Sequence, residues 1–384
     1  MDQRKAKPFA FLAWCSVTLP VTSDLDAHDE TVDITATYGD HACVRASLAC
    51  VIFLAACGGS GSAPSREVHL TTTIDSSGLS AVLDFEIPDK TRSITIVARG
   101  ANAALYALGE LALGDGTDLV QLQVTPADAM QMSYRVEQIG QMPGALFQSI
   151  RLGTYTHVYP YKPGQSVIAG DGRLRIASDM PGSVDVTILM PEDDGATRLP
   201  LNIYLVSDTL VEPPPELATE VQRIFAQASI TTSIERVERL TGTAFEQITQ
   251  STEPQEAPDS QSAMVPSLVV DRTGVGLDVF IVESLPAGIG GLSLGTPGPP
   301  IRGNYYFGVI VRTGANWISN ARVVAHEAAH FLALQHVQNV GVSGMRYPDP
   351  IDDTTPGAGN LMESGTQLTA GQAFALSRSA LLVR

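Results

Sequence analysis

The chain has 384 residues, a formal net charge of −17 at pH 7, and 44% hydrophobic against 17% charged residues. This apolar content is enough to build packed cores and excludes a wholly disordered chain. The acidic balance argues against nucleic-acid binding, because phosphate neutralisation needs a basic surface. The length predicts two domains, since single cores stop growing at about 250 to 300 residues.

All four cysteines lie in the first 57 residues, where the chain has the features of an export signal. An apolar run over residues 46–56 follows Arg45 and precedes Cys57 and a Gly/Ser-rich stretch. The run is too short for a membrane-spanning helix, which takes about 20 residues, and suits a signal peptide. Residues 54–57 (LAAC) resemble a bacterial lipobox, which implies lipidation of Cys57. A buried strand with an incidental cysteine is the alternative.

This pattern predicts a leader and lipoprotein-type signal region over residues 1–57 and a Gly/Ser tether over 58–65. Residues 1–43 hold a second signal-like stretch and an acidic segment. We expect that they reflect a mis-annotated start, with translation beginning near Val44. The protein is then exported and lipid-anchored in the bacterial cell envelope, in particular at the outer membrane, or is extracellular. With its one remaining cysteine acylated, it depends on packing or a bound metal for stability.

Short runs of alternating polarity follow over residues 66–190, separated by Gly, Asp, Asn and Pro. Period-2 alternation indicates antiparallel strands, and their spacing predicts an all-β sandwich domain. The clearest strand candidates are residues 82–87, 93–97, 119–124 and 183–189. His69 and His157 are isolated in this region, and isolated histidines are more often structural than metal-binding.

A polar, turn-rich break at residues 191–195 is the predicted domain boundary. Beyond it, over 196–384, apolar runs alternate between strand and helix periodicity, which predicts an α/β (α+β) domain with a mixed twisted sheet and covering helices. The candidate strands are 199–207, 230–240, 277–282 and 304–311; a helix is predicted at 215–228, a linker-like insertion at 251–262, and a terminal helix after a capping box at Thr369.

The chemistry is concentrated in residues 326–336, which read HEAAHFLALQH. His326 and His330 are four residues apart, so on a helix they lie on one face and can bind one ion. Glu327 is offset around that helix, where it can act as a general base without being a ligand. If the helix ends near Ala333 and the chain turns back, His336 is the third ligand. Three imidazoles with an open position are typical of catalytic zinc.

This motif resembles that of the metzincin zinc peptidases, H-E-x-x-H-x-x-G-x-x-H followed by a Met-turn. Residues 360–362 (NLM) are similar to that turn, which implies that Met362 forms an apolar floor beneath the ligands. The pappalysins are the most similar family, on the basis of Leu334, the aspartate loop at 349–356 and Asn360. The resemblance covers about residues 198–384 and implies a zinc endopeptidase acting on protein or peptide substrates.

Two positions depart from the metzincin pattern. Ala333 stands where the clan usually has glycine, at a point where the backbone is expected to need positive φ; alanine there costs about 1 kcal/mol. No tyrosine follows Met362, so the extra tyrosine ligand of some metzincins has no candidate after the turn. Tyr347, which precedes the turn, is a weak substitute.

Two further segments have open interpretations. The glycine-rich residues 288–295 occupy the place of the family's edge strand, so Gly291, Leu292, Ser293 and Leu294 are candidates for binding an extended peptide by β-augmentation; a flexible loop is the alternative. Asp349, Asp352 and Asp353 are candidate calcium ligands through their carboxylates, and a solvated acidic loop is the alternative.

The sequence therefore predicts an exported, lipid-anchored zinc metalloendopeptidase in which Glu327 transfers the proton of a zinc-activated water. The competing hypothesis is a non-catalytic binding lipoprotein that retains a structural metal site. A third is a zymogen whose sandwich covers the cleft, with no cysteine switch, because the exported chain has no free thiol.

Overall fold

The computed structural model describes residues 65–121, 153–241, 245–249, 260–269, 274–303, 305–314, 316–340, 346–357 and 359–384. The chain divides into two compact units, Met1–Ala49 and Cys50–Arg384, and every described residue belongs to the second. The predicted signal region, with Cys57, lies outside the described residues. Within the described part, no helix has both the length and the apolar character needed to cross a membrane.

The first part of the described chain forms two antiparallel four-stranded sheets. One has the order β1-β8-β3-β6 and the other β2-β7-β4-β5. Their strands are β1 (Ser65–Ile74), β2 (Leu83–Ile87), β3 (Ile94–Gly100), β4 (Tyr106–Ala112), β5 (Asp118–Gln121), β6 (Thr154–Tyr159), β7 (Gly170–Ser178) and β8 (Gly182–Pro191).

Both sheets contribute to a single hydrophobic core, which is the arrangement of a β-sandwich. Ile96 and Ile188 of one sheet, and Leu108 and Ile176 of the other, are fully buried in it. Burial alternates along β2, as the sequence pattern predicts for a strand with one face on the core. The candidate strand at 119–124 is seen as far as Gln121, and its remainder lies outside the described residues.

The second part contains a five-stranded sheet of order β10-β9-β11-β13-β12. Its strands are β9 (Arg198–Leu205), β10 (Thr231–Arg239), β11 (Leu277–Val282), β12 (Gly291–Ser293) and β13 (Val309–Arg312). All neighbours are parallel except β12, which lies antiparallel to β13 at the sheet edge. Residues along β11 are buried throughout, as is typical of a parallel strand covered on both faces.

Helices cover this sheet. They are α1 (Pro215–Phe225), α2 (Gln261–Met264), α3 (Trp317–Phe331) and α4 (Ala370–Leu376), with 3₁₀ turns at Ala226–Ala228 and Val265–Val269 and a hairpin of β14 (Gln338–Val340) and β15 (Arg346–Pro348). Helices α1 and α3 share one core with the sheet, in which Leu217, Ile203 and Val324 are fully buried. Residues of α2 pack in a second core that includes Phe280.

Two predicted elements differ from those observed. The strand expected at 304–311 begins only at Val309, because the preceding Gly308 has φ +119°, which is outside the range of a strand. Glycine is needed at this position, since a β carbon would lie 2.8 Å from the Asp278 carbonyl oxygen. Tyr306 and Phe307 are buried in two different cores, which explains the apolar run before the strand. The insertion predicted at 251–262 ends as the start of α2, whose N-cap is Ser260.

Buried polar contacts join the two parts within the compact unit. The Arg92 guanidinium donates to the carbonyl oxygens of Ala196 (3.1 Å) and Ser379 (3.0 Å), and the Ser93 hydroxyl donates to the Arg378 carbonyl (2.6 Å). The domain boundary at residues 191–195 therefore stays a prediction, although separate cores form on its two sides.

Candidate metal centre

Helix α3 carries two of the predicted ligands. Asn316 caps it by accepting a hydrogen bond from the Ser319 N–H (2.8 Å), and small apolar residues on its inner face let it pack closely on the sheet. His326 and His330 lie one turn apart, with ring centroids separated by 4.7 Å. The helix ends at Phe331, as the sequence predicted to within two residues, and the chain turns back toward His336.

The turn brings the three predicted histidines together. The Nε2 atom of His336 lies 3.2 Å from the Nε2 atoms of both His326 and His330. Zinc–nitrogen bonds of about 2.0–2.1 Å in tetrahedral geometry separate ligand nitrogens by about 3.3 Å, so the spacing fits zinc. The ligand atoms of the three histidines all lie within 4.8 Å of one another, and no other group of three or more His, Cys, Asp or Glu residues does so among the described residues.

Backbone carbonyls orient two of the rings. The Nδ1 atoms of His326 and His330 lie 2.6 Å from the carbonyl oxygens of Leu361 and Leu334. A carbonyl only accepts, so each Nδ1 carries the proton and each Nε2 keeps its lone pair for a metal. Such partners fix the tautomer and orientation of metal-binding histidines. The lone pairs that converge here would repel one another without a cation between them.

Burial also keeps these histidines neutral. It lowers the pKa of His326, and it lowers that of His330 well below the usual range, with the neighbouring His326 and His336 adding to the effect. His336 is the most exposed of the three, but loss of water around its ring still lowers its pKa to about 4, and the neighbouring His326 adds to the effect. Neutral imidazole is the form that binds metal, so the triad is ready to do so near neutral pH.

Glu327 lies on the same helix, next to the triad, and faces β12. It is 7% exposed, and its carboxylate accepts a hydrogen bond from the backbone N–H of Ser293. Burial raises its pKa to about 8, against the opposing effect of that hydrogen bond. A buried carboxyl group beside three histidines that could hold a metal ion is placed to exchange protons with a molecule bound there.

The Met-turn candidate is fixed by a buried amide pair. Asn360 and Gln372 exchange hydrogen bonds of 2.8 and 3.0 Å, and the Met362 N–H donates to the Asn360 side chain (2.8 Å). Gln372 belongs to the predicted capping box at Thr369, which is confirmed. Met362 is completely buried in the core that also holds the inner face of α3. Its role as a floor beneath the ligands stays a prediction.

The three aspartates proposed for calcium have different partners. Asp349 is buried, which raises its pKa to about 6, and it accepts from Thr354 and from the Ile351 N–H. Asp352 pairs with Lys162 (3.3 Å), and Asp353 accepts from the Gly371 N–H at the start of α4 (2.8 Å). Calcium binding stays a prediction.

The glycine-rich segment forms a short strand where an edge strand was one of two expectations. Gly291, Leu292 and Ser293 make up β12, and the Leu294 N–H continues the pairing to the Gly308 carbonyl (3.2 Å). Leu294 is fully buried, so its side chain belongs to the core of the domain. Peptide binding along this strand stays a prediction.

The turn after α3 was predicted only in part. Ala333 has φ +123°, so the expectation of positive φ at this position is confirmed, and alanine holds it without glycine's freedom. Its carbonyl accepts a 2.9 Å hydrogen bond from the hydroxyl of Tyr161, which comes from the first part of the chain and was not predicted. Tyr347 lies on β15.

Comparison with known proteins adds little to this geometry. No model of a known protein family matches the chain, and no curated protein matches it. Among solved structures it is similar to the crystal structure of archaemetzincin (AmzA) from Methanopyrus kandleri, with 8% identity over 48% of this chain and 88% of that chain. The TM-score is 0.28, and a likeness at that level does not establish a shared fold.

Proposed function

We propose that the protein is a zinc-dependent endopeptidase. The observation that carries the proposal is the convergence of three neutral histidines, with Nε2 atoms 3.2 Å apart, beside a buried carboxyl group on the same helix. A structural zinc site is closed by four protein ligands, whereas a catalytic one keeps a position open. The three-histidine group leaves such a position, and a structural site does not need Glu327.

In this proposal the three histidines and Glu327 have different roles. His326, His330 and His336 would hold the zinc ion, which would supply a Lewis acid and lower the pKa of a water molecule toward about 7, so that hydroxide is available at neutral pH. Glu327 takes the proton from the attacking water and delivers it to the leaving amine. A pKa near the working pH suits a group that both accepts and returns a proton, and burial moves that of Glu327 in this direction.

The substrate of this proposal is an extended peptide or protein segment. Strand β12 lies at the sheet edge, and the Ser293 N–H contacts Glu327 directly, so a chain laid along β12 would pass the carboxylate. Main-chain pairing with an edge strand gives affinity that depends little on side chains. Specificity would then come from the side chains that line the cleft.

Other parts of the proposal rest on sequence motifs alone. We propose a metzincin-like domain of the pappalysin type, export, lipid anchoring through Cys57, and calcium binding at Asp349, Asp352 and Asp353. N-terminal sequencing and mass spectrometry of the native protein would test the anchor. An acylated Cys57 at the mature terminus supports it, and intact peptides from residues 20–40 contradict it.

The decisive experiment substitutes Glu327 by glutamine and by alanine. Both variants should lose casein and gelatin cleavage by about 10²- to 10⁴-fold, the usual contribution of a general base, while zinc stays near one per chain. Glu216→Gln, on the exposed first turn of α1, is the matched control and should cleave normally. Undiminished cleavage by Glu327→Ala refutes the assigned role. A zinc-loaded wild type that cleaves nothing, and that chelators destabilise, favours the binding lipoprotein instead.

A further inference from the structure

The first part of the chain reaches into the core of the second through one side chain. Tyr161 follows β6, two residues after that strand ends, and is 6% exposed. It belongs to the core formed by α1, α3 and the five-stranded sheet, which also contains Leu334 and Val337. It is therefore part of the packing behind the metal centre, although it belongs in sequence to the β-sandwich.

The Tyr161 hydroxyl holds both ends of the turn between α3 and the third ligand. It donates to the Ala333 carbonyl at 2.9 Å, and the backbone N–H of Gln335 donates to it. Burial and the nearby Asp349 carboxylate raise the pKa of Tyr161, so it stays protonated and keeps its donor. A hydroxyl that donates and accepts once each satisfies both polar groups of a buried turn.

This turn controls the geometry of two ligands. The Leu334 carbonyl, at its centre, accepts from Nδ1 of His330 and so sets the direction of that ring. His336 follows the turn directly. Ala333, at its start, has φ +123°, a conformation that residues other than glycine rarely adopt and that persists only where the surroundings enforce it. The contacts of Tyr161 are of the kind that can enforce it.

Tyr161 is itself held in place. The Gln165 side-chain oxygen accepts from the backbone N–H groups of Tyr161 (3.0 Å) and Lys162 (3.1 Å), which closes a tight loop after β6. The Lys162 ammonium group pairs at 3.3 Å with Asp352, which lies in the loop after β15. The hydroxyl is thus presented from a fixed loop.

We propose that Tyr161 is a positioning residue for the metal ligands His330 and His336, and that the β-sandwich is therefore part of the metal centre. The inference rests on the proposed function only in assuming that the triad binds a metal. It assigns the sandwich a role beyond substrate binding or anchoring: it supplies a hydrogen bond that keeps the ligand turn in the metal-binding conformation.

The test compares Tyr161→Phe with Tyr106→Phe in the full chain. Tyr106 is also buried, on β4, and its hydroxyl accepts from the Ala101 N–H (2.9 Å) between β3 and β4, apart from the loop that presents Tyr161. Each variant loses one buried hydroxyl. Zinc affinity, measured by competition with a chromophoric chelator, should fall about tenfold in Tyr161→Phe, the lower end of the range for direct partners of metal-binding histidines, because Tyr161 acts one hydrogen bond further out. It should stay unchanged in Tyr106→Phe.

Cobalt(II) substitution gives a readout that general destabilisation does not move. The visible d–d spectrum of the cobalt form reports ligand geometry and should change in Tyr161→Phe alone. Equal zinc affinity and identical cobalt spectra in the two variants would overturn the inference, whatever their thermal stabilities. Because neither measurement uses peptide cleavage, an inactive but metal-binding wild type would remove the proposed function and leave the positioning role standing.

Discussion

Gly291 on β12 lies directly against Glu327 on α3. A β carbon on Gly291 would stand 2.6 Å from Cγ and 2.9 Å from Oε1 of Glu327, and 2.7 Å from Cγ1 of Val323 on the same helix, closer than folded proteins allow. Glycine is needed here because Glu327 packs so closely against the edge strand that no side chain fits between them. The edge strand thus fixes where the general base of the proposed reaction can lie.

Gly291→Ala should therefore displace Glu327 and reduce peptide cleavage by at least about tenfold, the order expected when a catalytic group moves by a fraction of an ångström. Bound zinc should stay near one per chain. The control is Gly290→Ala, because a β carbon at Gly290 meets only Val323, at an ordinary 3.6 Å. Equal activity of the two variants would show that β12 does not constrain the carboxylate.

Asn360 and Gln372 should be energetically coupled. Each is almost fully buried and satisfies the other's amide, so removing either leaves a buried polar group without its partner, at about 1–3 kcal/mol. We expect Asn360→Ala and Gln372→Ala to be less than additive, with a coupling energy of about 1–3 kcal/mol in a double-mutant cycle measured by urea unfolding. Strict additivity would contradict the pairing.

Ala333 is expected to tolerate glycine and to reject a branched side chain. Glycine relieves the strain at φ +123°, but it loses a buried methyl group, about 0.8 kcal/mol, and gains unfolded-state entropy, about 0.4–1 kcal/mol. These effects nearly cancel, so Ala333→Gly should unfold within about 1 kcal/mol of the wild type. Ala333→Val should lose more than about 2 kcal/mol, since β-branched residues rarely adopt positive φ. Chemical denaturation of both variants checks the balance.

His157 should make the protein less stable in acid. It is fully buried on β6, neither ring nitrogen has a hydrogen-bond partner among the described residues, and burial lowers its pKa to about 3. The unfolded chain, in which its pKa is about 6.5, therefore binds the proton first as the pH falls. The titration of His157 therefore leaves the free energy of unfolding unchanged above pH 7 and lowers it progressively from about pH 6.5 down to about pH 3.

His157→Phe removes this dependence. Relative to the variant, the wild type should lose about 2 kcal/mol of unfolding free energy between pH 7 and pH 5. The comparison is made in EDTA, so that the three ligand histidines contribute equally to both proteins, and pH 8 gives the packing cost of the substitution. Parallel pH profiles would mean that His157 takes up its proton without unfolding.

The sequence predicts the parts of this protein that depend on local spacing. Alternation located four of the eight sandwich strands, β2, β3, β5 and β8, and the four- and ten-residue intervals from His326 located the triad. The contacts that support the site are not local. Tyr161 and Ala333 are 172 residues apart, and no pattern around either residue indicates the other. The strand expected from residue 304 failed because aromatic side chains that fill two cores look, in sequence, like part of a strand.

The hydrogen bond from Tyr161 to Ala333 also has a consequence in the opposite direction. Thermodynamic coupling is reciprocal, so if sandwich docking strengthens metal binding by some factor, metal binding strengthens sandwich docking by the same factor. A tenfold effect corresponds to about 1.4 kcal/mol. Loss of metal would then loosen β6 and its loop, and amide hydrogen exchange there would accelerate when a chelator is added. The stability of this part of the β-sandwich would therefore depend on whether metal is bound, although the sandwich contributes no metal ligand.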